Sequence, residues 1–486
     1  MDFVNFIISN GRSTGSSNLS GGLVKSKLAC ASAWSATENS QNNAWNVNFN
    51  DGNTNNNNKY NSNRVRAVVA LGDEIKEGWV IAKNDCCTNK KSSPQCDSWR
   101  TDYELDLWLL LYEVYSRTYK PSTSTCFLVT WPKLREIFAA AFRDRIVQHW
   151  VCLRLEPLFE ERFVQQGNVS FNCRKGLGTI KAVEALRADI IERSNNYSEE
   201  TWVGRFDLMA FFMNIDRKVL WSLLEPFIKE NYKGDDIDTL LYLTKIIVFH
   251  SPQFDCKRNS PIEMWDFLAR NKSLFYLPEG IGMAIGNLTS QLFANFYMSY
   301  FDEFMIWLCA RYNCKYRRFV DDFTVVGDKR IILKVIRPLA EAYLRKRLHV
   351  TLHRDKFYLQ PVRHGIKFVG SVIMPGRTYI SNRTLSGFWE ELRRTEAICD
   401  QIAEGRVNER TLGDLRHSVA ALNSYLGFLI HCNSYRLRMS LLLNVSRSFW
   451  QCCYVVGELR CVKIKNDYQL PYYLQRKEAY LYGISL

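Results

Sequence analysis

Phe319-Val320-Asp321-Asp322-Phe323 is the stretch that decides the fold. Neighbouring carboxylates raise each other's pKa, so an adjacent pair between apolar residues is electrostatically costly unless cations neutralise it. The surrounding KYRRFVDDFTVVGD (315–328) reads as two short strands around an Asp-Asp turn. The apolar flanks anchor that turn in a buried sheet. Two Mg²⁺ ions held about 3.5–4 Å apart for in-line phosphoryl transfer need a third carboxylate. Asp207 supplies it, at the end of a short strand (202–206) and ahead of LMAFF. Asp216 lies nearby but precedes Arg217 and an apolar helix, so it reads as a helix N-cap.

The rest of the chain fits a large enzyme with a polyanionic partner. Its 486 residues suffice for two or three domains, and 47% hydrophobic with 13% aromatic residues excludes global disorder. Lys and Arg outnumber Asp and Glu by 64 − 50 = 14, with a pI near 9.0. That surplus points to nucleic acid or an acidic membrane surface. The membrane reading fails, because no uncharged apolar run approaches about 18 residues. The longest candidate, Leu107 to Tyr112, is far shorter, and the opening MDFVNFIISNGRS has no basic segment ahead of its apolar stretch. Fifteen cysteines are scattered without a Cys-x-x-Cys, and Cys86, Cys87 and Cys96 have no partner pair at zinc-ligand spacing. Reduced, buried thiols in a cytoplasmic protein follow.

Organisation changes along the chain. Residues 42–63 hold twelve Asn in twenty-two positions, which favours turns over helix, and residues 1–100 read as a poorly ordered low-complexity segment. The stretch 85–98, with Lys90, Lys91 and Pro94, reads as a linker. From Tyr103 the texture is globular: LDLWLLLYEVYSRTY and LREIFAAAFRDRIVQHWVCLRLEPLFEERF carry helical apolar spacing. RFDLMAFFMNI reads as strand and turn, GMAIGNLTSQLFANFYMSYFDEFMIWL as a loop entering a long helix, and HVTLHRDKFYLQPVRHGIKFVGSVIM as short strands. From Thr384 to Val456 the pattern is helical again and studded with arginines, among them Arg393, Arg394, Arg406, Arg410 and Arg416.

Taken in order, Asp207, IGNLTSQLFANFYMSYFD, FVDD, HRDKFYLQ and GIKFVG resemble the A to E blocks of the reverse transcriptase palm. The likeness covers about residues 103–445, with RDRIVQHW and CRKGLGT similar to fingers motifs and LNSYLGFLIHCNSYRLR to a thumb. It implies an α+β right-hand polymerase fold: fingers at 101–200, a palm with an antiparallel sheet at 201–383, a helical thumb at 384–456 and a tail at 457–486. That tail is too short for a ribonuclease H or homing endonuclease domain. Phe319 departs from the family's usual Tyr.

The resemblance also assigns roles. Asp207, Asp321 and Asp322 would be the catalytic and metal-binding carboxylates, with Mg²⁺ (or Mn²⁺ as substitute) as cofactor. Arg143, Arg145, Arg174 and Lys175 would contact the triphosphate, Arg174 foremost. Phe212 would lie under the incoming sugar and exclude a ribose hydroxyl, and Lys356 would assist protonation of pyrophosphate. Ile285, Gly286 and Gln291 would face the nucleotide, with Gly286 letting the backbone approach nucleotide or template. Asn287 would touch the template, and Gly365, Lys367, Phe368 and Gly370 would form a primer-gripping hairpin. The arginine-rich helices after 384 would hold the duplex through phosphates.

The loop Ile285-Gly286-Asn287-Leu288-Thr289-Ser290-Gln291 is similar to that of diversity-generating retroelements, although Ala284 stands where they carry Pro. Those enzymes copy a template-repeat RNA with errors opposite adenines. The resemblance implies deoxynucleoside triphosphates as substrates. It also implies partners: template-repeat RNA, primer and cDNA, and a small basic helical accessory variability protein. Adenine-directed mutagenesis acts on Asn codons, so WSATENSQNNAWNVNFNDGNTNNNNKYNSNRVR reads as sequence overlapping, or derived from, the template repeat, with Trp34, Trp45 and Arg64-Val65-Arg66 as fixed framework. The rival readings are a retron-type, group II intron-like or antiviral-defence reverse transcriptase, and a catalytically silent RNA-binding scaffold. Retention of Asp207, Asp321 and Asp322 speaks against the scaffold.

Overall fold

Alternating burial explains the first sheet that sequence periodicity hides. In β5 (Ser124–Val129) and β6 (Arg135–Ala139) every second residue is buried, and the two pair antiparallel from Thr125–Ala139 to Val129–Arg135. The run from Leu134 therefore begins as a strand, not as the helix expected from its apolar spacing. The helix starts only at Phe142 and runs to Gln165. Period two and period 3.6 coincide over so few residues that pairing with β5 decides between them.

The computed structural model describes residues 73–88, 96, 99, 103–130 and 133–469, and the backbone of four strands before them. These are β1 (Phe6–Ile8), β2 (Ser32–Glu38), β3 (Asn43–Asn48) and β4 (Thr54–Asn58), antiparallel neighbours in chain order. Arg64-Val65-Arg66, most of the expected linker and residues 470–486 lie outside the described residues. Two compact units result: Met1–Cys87 with Ser98–Lys120, and Thr88–Asp97 with Pro121–Leu486. The division falls differently from the boundary drawn at residue 100.

The first unit contains helices Asp73–Cys87 and Tyr103–Tyr115. The former lies inside the segment expected to be poorly ordered. Trp79, Ala82 and Cys86, at helical spacing, are fully buried, and the Trp79 indole donates to the Tyr115 hydroxyl at 3.4 Å.

The second unit is built on a four-stranded antiparallel sheet in the order β11-β7-β10-β9, from β7 (Trp202–Asp207), β9 (Lys315–Phe319), β10 (Asp322–Gly327) and β11 (Tyr358–Pro361). Strand β10 reads as continuous apolar sequence because both its faces are covered: Phe323, Val325 and Val326 have no exposure. The rings of Phe206 and Phe323 stack at 4.7 Å, joining the two strands that end in carboxylates. The helix Leu288–Arg311 packs beneath, fifteen of its residues buried. Strand β5 also pairs in parallel with β8 (Cys256–Arg258). Strands β12 (Ile366–Phe368), β13 (Ser371–Met374) and β14 (Arg377–Ile380) form a separate meander.

Helices Asn382–Ala403, Glu409–Leu429, Tyr435–Leu443 and Arg447–Cys452 share one core through Phe388, Leu392, Leu422, Leu426 and Phe449. That core continues past residue 456, where the sequence suggested a tail. Strand β15 (Cys453–Val456) pairs with β16 (Cys461–Ile464), Val462 is buried in the helical core, and Asn423 bonds both backbone groups of Val462 at 2.7 and 2.8 Å. The arginine-studded pattern hid this hairpin, which is anchored by one polar side chain and a few apolar ones.

Candidate active site

Antiparallel register puts the carboxylates together. Asp207, last in β7, lies directly opposite Asp322, first in β10, and Asp321 occupies the two-residue turn between β9 and β10. The other turn residue, Val320, has φ 59°, a left-handed conformation that β-branched residues avoid. The amide of Leu208 donates to the Asp321 carbonyl at 3.3 Å, and that of His353 to the Asp207 carbonyl at 2.8 Å, fixing both strand ends.

Crowding shows in the acidities. Burial, with the Asp321 and Asp207 charges adding to it, pushes the Asp322 carboxyl up to about 6, against the opposing pull of Arg205. Burial and the neighbouring Asp207 raise Asp321 as well. Two cationic side chains offset part of this charge: Lys356 Nζ stands 2.5 Å from Asp207 Oδ2, and Arg205 Nη2 is 3.5 Å from Asp322 Oδ2. Asp322 Oδ1 is buried and accepts no hydrogen bond. A buried anionic oxygen without a donor, beside two further carboxylates, is the donor chemistry that hard divalent cations take. Among the described residues, however, no three His, Cys, Asp or Glu side chains already converge on one point as metal ligands. Lys356 takes up one oxygen of the set.

A cavity of about 470 Å³ opens over this corner, lined by Asp207 and Asp321 together with Phe212, Ile285, Gly286, Gln291 and Lys356. Seven residues singled out in the sequence thus meet in one place. Three cations that sequence reasoning missed share this lining: Lys133, Arg135 and Lys272, all exposed. Arg135 is near enough to Asp321 to pull its pKa down, against burial and Asp207. The sequence carried no local signal for Arg135, because the alternation of β6 becomes legible only through its pairing with β5. Glu136, next to it, is buried and accepts from Trp265 Nε1, Ser273 Oγ and the Leu274 amide at 2.7–2.9 Å, fastening β6 to the segment that carries Lys272.

The cations nominated from the fingers motifs do not line the cavity, and each is engaged elsewhere. Arg174 is buried, gripping Glu160 at 2.5, 2.9 and 3.1 Å and the Ser170 carbonyl at 2.7 Å. Lys175 pairs with Glu156 at 3.0 Å, Arg145 Nε donates to the Ala140 carbonyl at 2.8 Å, and Arg143 lies 3.7 Å from Asp144. Asn287 is the N-terminal flanking residue of the helix Leu288–Arg311, and its Oδ1 accepts from the Ala140 amide at 3.4 Å. Asp216 is the N-cap expected of it, accepting from the amides of Lys218 and Val219 at 2.9 and 3.2 Å.

Gly286 (φ 122°) does permit a close approach, but to protein. A Cβ there would come within 2.8 Å of the Phe138 carbonyl oxygen in β6, while the Ile285 carbonyl accepts from the Phe138 amide at 2.8 Å. Gly365, Lys367, Phe368 and Gly370 lie on the β12–β13 hairpin, away from the cavity lining. Phe368 is buried, Lys367 is exposed, and the Gly370 carbonyl accepts from the Ser381 amide at 2.8 Å.

No protein-family model and no curated protein matches the sequence. Among the solved structures that it resembles are telomerases. One is telomerase from Candida albicans in complex with a TWJ fragment of telomeric RNA: identity 12%, TM-score 0.38, spanning 71% of this chain and 61% of that one. Another is apo telomerase from Candida tropicalis truncated from its C-terminal domain: identity 13%, TM-score 0.36, spanning 56% and 59%. The chain spans about three fifths of the length of these structures. No helix among the described residues is long and apolar enough to cross a membrane.

Proposed function

We propose that the chain is an RNA-directed DNA polymerase that joins deoxynucleotides to a primer end. The observation that carries this reading is the register of β7 against β10, which sets Asp207 opposite Asp322 with Asp321 at the adjoining turn, beneath a cavity faced by Lys133, Arg135 and Lys272. Asp207, Asp321 and Asp322 would hold two Mg²⁺, or Mn²⁺, which when bound supply Lewis acidity and charge neutralisation at the attacking and leaving oxygens. These three cations orient the triphosphate, and phosphoryl transfer needs little more from a protein than such positioning. Phe212 forms the floor under the sugar. Lys356, paired here with Asp207, would present its Nζ proton to the departing pyrophosphate. Primer extension on an RNA template with deoxynucleotides and Mg²⁺ tests the assignment. Indistinguishable output from the unmodified chain and its Asp321→Asn variant overturns it.

Within that activity, we propose the error-prone copying of a template-repeat RNA in a diversity-generating retroelement, assisted by a small basic accessory protein. The loop Ile285 to Gln291 and the twelve Asn of residues 42–63 support this reading. Because the chain itself carries +14, the RNA bridges or screens its contact with a basic partner. Sequencing of the adjoining DNA is the test: lack of a near-identical repeat that differs at adenines rules it out.

A further inference from the structure

The most deeply buried charges of the second unit form a pair at the floor of the cavity, whose lining includes Arg318, Val320 and Asn295. Arg318 on β9 and Asp302 in the helix Leu288–Arg311 both have zero exposure. Fully buried arginines and aspartates occur almost only in pairs, and this pair is bidentate: Nε to Oδ1 at 2.7 Å and Nη2 to Oδ2 at 2.6 Å. The Tyr316 hydroxyl also donates to Asp302 Oδ1, at 2.7 Å. Such a pair is commonly no more stabilising than apolar residues of the same volume, so stability alone gives no reason for it.

What a hydrophobe cannot do is donate. Arg318 has donors left after Asp302 is satisfied. Nη1 reaches the carbonyl of Val320 at 3.0 Å, and Nη2 reaches Asn295 Oδ1 at 2.9 Å. Val320 is the left-handed residue of the turn, and Asp321 follows it directly. Asn295 carries the connection further, accepting from Ser170 Oγ at 2.8 Å and donating to the Asn172 carbonyl at 3.2 Å. The Arg318 backbone is bonded to the same segment, through Val169 and Phe171. The turn, the long helix and residues 169–172 are thereby fixed to one guanidinium.

We propose that Arg318, clamped by Asp302, is a positioning residue: it holds the Val320 carbonyl, keeps the turn in its left-handed form and so aims Asp321 into the cavity. This rests on the polymerase reading of Asp321. Lysine is a poor substitute, because a point charge cannot keep two bonds to Asp302 while reaching both Val320 and Asn295. Glycine at position 320 adopts positive φ without cost and makes the clamp dispensable.

The test is a double-mutant cycle. Arg318→Lys lowers kcat for primer extension about a hundredfold, the loss typical of an ångström-scale misplacement. KM for deoxynucleotides stays within about threefold, because the triphosphate-facing cations are untouched. In the Val320→Gly background the same substitution costs less than about tenfold. A structural role for Arg318 predicts equal losses in both backgrounds, and that result overturns the proposal. Should Arg318→Lys fail to fold, Arg318→Met/Asp302→Leu, which replaces the pair by similar volume, is compared with and without Val320→Gly. Failure of Val320→Gly to restore activity at least tenfold there also overturns it. Asp321→Asn, assayed in parallel, separates the two levels: full activity in that variant removes the polymerase reading itself, whereas an inactive Asp321→Asn with an additive cycle removes only the positioning role.

Discussion

On one wall of the cavity the charges are set by backbone, Asp207 at a strand end and Asp321 at the turn with Asp322 beside them outside the lining, whereas three cations of the lining sit at the tips of long, exposed side chains. Asp207 and Asp322 are paired residues of one ladder, their positions set by backbone bonds and by the stacked Phe206 and Phe323 rings. Lys133, Arg135 and Lys272 come from β6, the residues ahead of it and a distant segment fastened through Glu136. Rigid backbone suits groups whose spacing determines chemistry. Long, exposed cations would suit the triphosphate of the proposed reaction, which must enter and leave, since an ammonium or guanidinium follows its ligand at little cost. Substitutions on the first wall should therefore change kcat, and those on the second KM.

The largest effect belongs to the first wall. Asp321→Asn lowers extension by about 10³-fold or more, as removal of a two-metal ligand or a comparable electrostatic group does. RNA retention on a filter stays within about threefold. On the second wall, Arg135→Ala raises KM for deoxynucleotides about thirtyfold with kcat nearly unchanged, the worth of a charge-assisted phosphate contact. Arg174→Ala gives the contrast: it leaves KM alone and costs about 2 kcal/mol of stability, read as a lower melting temperature, because Arg174 serves Glu160. An unchanged KM in Arg135→Ala would collapse the comparison.

Ile285→Gln sharpens it at the level of selection. A side chain able to bond near the incoming nucleotide penalises poorly seated pairs by about 1.4 kcal/mol, so errors opposite template adenines fall about tenfold in sequenced cDNA. The smallest effect is on stability. The Asp322 carboxyl stands near 6 in the fold against 3.8 in the unfolded chain, so the native state binds the proton more tightly. Its contribution is most favourable below 3.8 and is lost as pH rises through about 6. In metal-free buffer, Asp322→Asn therefore melts higher at pH 8 by about 2 °C, and the gain disappears near pH 4. An equal gain at both pH values would place the strain elsewhere.

The difference between the walls also explains what the sequence revealed. Aspartates flanked by apolar strand residues leave a contiguous mark, and FVDD with Asp207 could be read directly. The Asp216 cap was legible for the same local reason. Cations acting across space leave none. Arg174, in a glycine-containing basic motif, looked suited to phosphate, yet burial beside Glu160 consumes its donors. Arg135 lay in a run whose five strand residues mimic a helix face, and only pairing with β5 exposes the alternation. The β15–β16 hairpin was missed because its anchor, Asn423, sits some forty residues away in a helix. Long-range pairing, rather than propensity, decides each of these.

Gly286 and Ile285 give the loop ahead of the long helix a mechanical owner. With the Ile285 carbonyl on the Phe138 amide and the Phe138 oxygen where a Cβ at Gly286 would need room, the loop is seated on β6 at Phe138. A transplant of Ile285 to Gln291 into a polymerase would carry the letters without the seat. To move the loop as a unit, an engineer has to graft Arg135–Ala139 along with it.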